Sequence, residues 1–139
     1  MECKYVILDH PADLGVEAHG ETLRMAFECA AVGVVSIIID LSTVEPGESR
    51  AVSVSASDRD QLLVRFLSEI LYLYDGQRFI TTRVSIHRVG NTQLEATVWG
   101  ERFCEGKHRT KLDVKAVTYH QLSISEDDNG VTVRVFLDI

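Results

Sequence analysis

The sequence predicts an α+β protein, with two helices packed on an antiparallel or mixed β-sheet. Two segments repeat apolar residues at helical spacing, and about seven others are short, alternating or β-branched. Two hairpin signals follow the second helix, so the strands do not alternate regularly with helices as a parallel α/β fold requires. With 139 residues, 45% of them hydrophobic and 25% charged, the chain reads as one folded domain over residues 1–139, long enough to bury a core.

The first two strands are "YVILDH" and "LGVEAHG", set around the turn "HPAD". There Pro11 fixes φ and removes a donor. A helix follows from about Thr22 to Ile39. Leu23, Ala26, Phe27, Ala30, Val34, Ile37, Ile38 and Leu41 form its apolar stripe, and Pro46 with Gly47 breaks the chain after it. "AVSVSAS" places Val52, Val54 and Ala56 on one face and serines on the other, the pattern of a half-buried strand. Asp58 with Gln61 resembles a capping box opening a second helix. Leu63, Phe66, Leu67, Ile70, Leu71 and Tyr74 supply its apolar face, and Gly76 suits the left-handed position past its end. Hairpins are predicted around Gly90–Asn91 and around "EDDNG". Between them, "RFCEGKHRTKLDVKAV" follows neither period, and a short helical turn fits it.

Composition excludes several classes of function. A net charge of −7 disfavours binding nucleic acid over the whole surface, because that affinity rests on neutralising phosphates. Arg102, Lys107, Arg109, Lys111 and Lys115 are nevertheless gathered in one segment, for which a solvated loop is the simplest account. No apolar run approaches the roughly 18 residues of a membrane helix, and the first residues lack the pattern of a signal peptide. Cys3, Cys29 and Cys104 are scattered and odd in number. They make neither a CxxC pair nor a disulfide framework, which suits a reducing cytoplasm and gives zinc little support.

No P-loop, nucleophile elbow, dinucleotide fingerprint or HExxH motif is present. His120 is in phase with Leu122 and Ile124 and is expected to face inward. Asp113 and Lys115 suit a local ion pair or a phosphate contact, and Trp99 suits packing on a sheet face.

The final segment, "VTVRVFLDI", is more informative. Period-two geometry puts Val131, Val133, Val135, Leu137 and Ile139 on one face and Thr132, Arg134, Phe136 and Asp138 on the other. Ile139 is then expected to anchor the end in the core while its carboxylate emerges beside Asp138. Adjacent oxygen groups of this kind suit a hard cation, with Asp9 and Asp13 at the Pro11 turn as further candidates. Turn capping and simple solvation are the more usual account of the same aspartates at this level.

The stretches "DHPADLGVEAHGETLRMAFECAA", "DLSTVEPGES", "QLLVRFLSEILYLYD" and "KHRTKLDVKAVTYH", with the closing "FLDI", resemble the archease family almost from end to end. Pro11 departs from the threonine common there. The resemblance implies a single archease-like domain that activates the tRNA-splicing RNA ligase as its protein partner and is not itself an enzyme. It implies help with guanylylation of the ligase and with multiple turnover in exon joining, and a broader use of nucleotides. It also implies a cytoplasmic protein that touches tRNA only through the ligase and contacts no membrane. As site residues it implies Asp13, Asp138 and the carboxylate of Ile139 around a divalent metal, Ca²⁺ being the usual ion, with Lys115 stabilising charge in the ligase chemistry. Two rival readings are a metal-dependent phosphodiesterase or nuclease built on Asp9, Asp13 and Asp138, and a chaperone-like module binding RNA or protein through "KHRTK".

Overall fold

The computed structural model describes residues 3–9 and 13–139. The predicted Pro11 turn lies outside the described residues. In chain order the elements are β1 (Lys4–Asp9), β2 (Asp13–Gly20), α1 (Leu23–Ile38), a short 3₁₀ turn (Leu41–Thr43), β3 (Glu48–Ser55), α2 (Arg59–Gln77), β4 (Phe79–Val89), β5 (Gln93–Arg102), β6 (Ala116–Asp127) and β7 (Gly130–Asp138). The expected helices and strands are present, but the strands divide into two sheets. One has the order β1-β2-β7-β6 and the other β3-β5-β4. Every strand pairing in both is antiparallel.

Local chemistry fixes the helix starts. The Thr22 side chain accepts from the Met25 amide at 3.2 Å. Asp58 does the same for Gln61 at 2.8 Å, and the Gln61 side chain reaches back to the Ser57 amide at 2.7 Å. Caps of this kind stabilise a helix by about 1 kcal/mol each. The end of α2 differs from expectation. Gly76 stays inside the helix, and Arg78 takes the left-handed conformation with φ 57°. Its amide bonds back to the Leu73 and Tyr74 carbonyls, and its guanidinium lies 4.5 Å from the Phe103 ring centre and 5.3 Å from that of Tyr74. Stacking on two rings gives a non-glycine residue a reason to hold that backbone.

Both helices bridge the two sheets. Helix α1 packs mainly on β2 and β4, and α2 on β6, β4 and β3. One continuous core results, in which the Phe27 and Phe66 rings stack with centroids 6.4 Å apart. The helix faces place Phe27, Ala30, Val34, Leu63, Phe66 and Leu67 in it, all fully buried.

Candidate functional site

Strand β7 is held between β2 and β6, so its register decides what meets at its end. Val131, Val133, Val135 and Leu137 are all buried, as the alternation predicts, and each contributes about 1.5–3 kcal/mol by leaving water. The other face forms a ladder with β2: His19 opposite Thr132, Glu17 opposite Arg134, Gly15 opposite Phe136 and Asp13 opposite Asp138. Two of these pairs are complementary. Arg134 donates to Glu17 at 2.7 Å, and His19 Nδ1 lies 3.0 Å from Thr132 Oγ1. The pair at the end sets like charge against like charge. Directly opposed like charges cost up to about 1 kcal/mol on a sheet, less than the apolar face of the same strand gains. The core therefore dictates the register, and the two carboxylates are carried together by it.

The pair sits in a shaped surround. Phe136 is buried although it belongs to the outer face, and Gly15 makes this work, since a Cβ there would meet the Phe136 ring. On the other side β6 bulges, with Tyr119 to Leu122 set against Val135 and Gln121 at φ 50°. The bulge brings the His120 ring edge-on to Phe136, centroids 6.0 Å apart. His120 is thus exposed on the outer face, contrary to the inward expectation: the bulge breaks the phase that linked it to Leu122 and Ile124.

Two further expectations need correction. Ile139 is 39% exposed and does not anchor the strand in the core. The end is held instead by its main chain, because the Lys115 amide donates to the Asp138 carbonyl at 2.7 Å. That bond places Lys115 beside the Asp138–Ile139 end, one residue before the Ala116–Asp138 pair. Asp9 pairs with Leu14, which pairs with Leu137. By register it belongs to the face opposite Asp13 and Asp138, which removes it from a shared three-aspartate site.

Among the described residues no three His, Cys, Asp or Glu side chains converge as a ready metal cage. What fits a hard cation is narrower: two opposed carboxylates and the main-chain oxygens that follow Asp138.

The basic segment turns out to be a strap along the C-terminal end of α1. Its Lys111 and Leu112 amides donate to the Ile38 and Ile37 carbonyls at 2.7 and 3.1 Å, Lys111 Nζ donates to the Ser36 carbonyl at 2.9 Å, and Val114 is buried. Helix-terminal carbonyls need such donors. Glu101 gathers the other end of the strap. Lys107 lies 2.8 Å from it, and the fully buried His108 ring contacts it through Nε2. Because His108 Nδ1 accepts from the Cys104 amide at 2.9 Å, the ring proton sits on Nε2 and is donated to Glu101. The Lys107 ammonium, and then His108, hold the Glu101 carboxyl below its ordinary range. Asp113 does not pair with Lys115; it lies near Asp75, whose carboxyl is pushed up first by burial and then by this second negative charge. Trp99 packs on its sheet under Arg83, 5.1 Å from the ring centre.

Two features escaped the sequence reading. Glu28 points inward from α1, 5% exposed, and accepts the Ile86 amide of β4 at 2.7 Å. It lines a cleft of about 690 Å³ with Cys3, Tyr5, Arg24 and Arg83, at the end of β1 away from Asp13. Cys3 and Cys29 meet there, sulfur to sulfur at 2.6 Å. A glutamate beside Phe27 in a helical stripe, and two cysteines far apart in sequence, carry no local signal of either contact.

The Archease protein family matches residues 5–139 of the chain. This chain belongs to the archease family. It is 36% identical over 137 residues to the protein archease of Sulfurisphaera tokodaii, covering 98% of this chain and 99% of that one. It is 41% identical over 132 residues to the protein archease of Thermococcus gammatolerans, covering 93% of each. The solution structure of Methanobacterium thermoautotrophicum protein 1598 superposes with a TM-score of 0.80 at 34% identity, covering 97% of this chain and 98% of that one. The crystal structure of a Thermotoga maritima archease, described as a possible chaperone, shares the archease fold with a TM-score of 0.66 at 18% identity over the whole of both chains. No helix among the described residues is long and apolar enough to cross a membrane.

Proposed function

We propose that this protein is an activator of the tRNA-splicing RNA ligase. It promotes guanylylation of the ligase and its multiple turnover, and it broadens the ligase's choice of nucleotide. The protein acts in the cytoplasm and meets tRNA only through the ligase. Membership of the archease family supports this reading, and one observation carries the choice of site: the register that sets Asp13 against Asp138 with Lys115 bonded alongside.

Asp13, Asp138 and the carboxyl group of Ile139 are the residues that would hold a divalent cation, with calcium the expected ion. When bound, such an ion supplies concentrated positive charge, the main lever in phosphoryl transfer. The chain's own contribution is positional. Asp13 and Asp138 are fixed by two central strands whose inner faces are buried, so neither carboxylate has to be ordered when the ligase docks. Lys115 brings a cation to the same end, placed to stabilise phosphate charge in the ligase's active site.

The deciding experiment is a reconstituted ligation with limiting ligase, GTP and divalent metal, with and without this protein. Added protein is expected to raise both guanylylated ligase and the number of turnovers, and equal rates in both mixtures would refute the activator reading. Incubating the protein alone with RNA and divalent ions tests the nuclease alternative, for which cleavage is required. The chaperone-like alternative relies on Lys107, Arg109 and Lys111. Lys107 and Lys111 are engaged within the strap, and Arg109 lies 3.9 Å from Asp40.

A further inference from the structure

We propose that Cys3 and Cys29 form a reversible disulfide that staples the edge strand β1 to helix α1. The fold aligns the two sulfurs through a neighbouring contact. Cys3 and Tyr5 are two residues apart on the extended chain, and Cys29 and Gly33 are four apart on the helix, so each pair points the same way. A Cβ on Gly33 would meet the Tyr5 ring and Val16. The absent side chain lets α1 lie close against β1, and one helical turn earlier Cys29 reaches Cys3 at 2.6 Å. That separation is within about 0.6 Å of a bonded pair, and both residues are free thiols.

Access separates their roles. Cys3 is half-buried and lines two clefts, of about 690 and 390 Å³, whereas Cys29 is 2% exposed. Cys3 is therefore the sulfur that a small oxidant meets. The oxidant is a low-molecular-weight disulfide. The contact with Cys29, and then burial, hold the Cys3 thiol well above its ordinary value, so Cys3 first gives up its proton to solvent; it then attacks one sulfur of the small disulfide, the S–S bond breaks and one small thiolate leaves. Cys29 then gives up its proton and attacks Cys3 in the mixed disulfide, forming the Cys3–Cys29 bond and expelling the second small thiolate. The protein loses two protons and two electrons, and the small disulfide is reduced to two thiols.

The test uses the full chain carrying Cys104→Ser, which removes the exposed third thiol, treated with oxidised glutathione. The expected product is two hydrogen masses lighter, carries no glutathione and reverts with dithiothreitol. In a tryptic digest the peptide of residues 1–4 is joined to that of residues 25–50. The oxidised form should also melt roughly 5–10 °C higher than the reduced one, since the bond closes a loop of about 27 residues. A glutathione adduct that persists on Cys3, or protein left as two free thiols when an accessible control thiol is consumed, would overturn the proposal. Neither readout involves the RNA ligase, so the result stands apart from the activator reading.

Discussion

The carboxylate end of β2 and β7 and the Glu101 knot at the strap are both polar and both half open to water, yet they are built on opposite rules. Around Glu101, charge meets countercharge and each buried polar atom of His108 has a named partner. At the other end, Asp13 stands opposite Asp138, an arrangement that costs stability if nothing positive joins it. Satisfied polar groups hold a fold together. Opposed like charges, held in place by a core that gains more than they lose, are the kind of local inconsistency found where a protein binds something.

The largest expected effect comes from breaking the carboxylate end. Asp138→Asn should lower activation of the ligase at least tenfold, about 1.4 kcal/mol, while the melting temperature in metal-free buffer stays level or rises slightly as repulsion is relieved. Added calcium should then raise the melting temperature of the wild type and not of the variant. Loss of stability without loss of activation would reverse the assignment.

Breaking the knot should give the mirror image. Glu101→Gln leaves His108 bonded to a weaker acceptor and is expected to cost about 1–3 kcal/mol in denaturant unfolding, with ligase activation unchanged. Acid should mimic it. The Glu101 carboxyl is held below its ordinary value of 4.5 in the folded chain, so its contribution is complete above that value and fades as pH falls through the lowered one. The wild type should thus lose a stability increment in strong acid that Glu101→Gln lacks, read by comparing unfolding midpoints across pH. Lys107→Met sets the lower bound. Its partner contact is at the surface, where such pairs add little to stability; a shift as large as that of Glu101→Gln would mean that the lysine, rather than the histidine, organises the knot.

The same contrast explains what could be read in advance. Period-two spacing assigned Phe136 and Asp138 to one face and Val135 and Leu137 to the other, and Thr22 and Asp58 marked the helix starts, because those signals are local. The pairing of β2 with β7 is not local. It makes neighbours of Asp13 and Asp138, which sequence alone left open between a shared cation and ordinary turn capping. His120 was misplaced because a bulge cancels the period it was counted on. Ile139 was misplaced because main-chain bonding to Lys115 secures the strand's end without burying its last side chain. The strap had no period to read, being ordered by carbonyls of α1 that become available only when the helix is formed.

The strand order also bears on how the molecule is made. Sheet β3-β5-β4 draws on residues 48–102 alone, whereas Glu17 and Arg134, bonded across the centre of the other sheet, are 117 positions apart. A growing chain can complete the first while β7 is still being synthesised, and β2 must wait for it with one long edge open. Such distant pairing is the slow part of folding and the one most exposed to aggregation, so the acidic end comes together only after β7 has been made and has found β2.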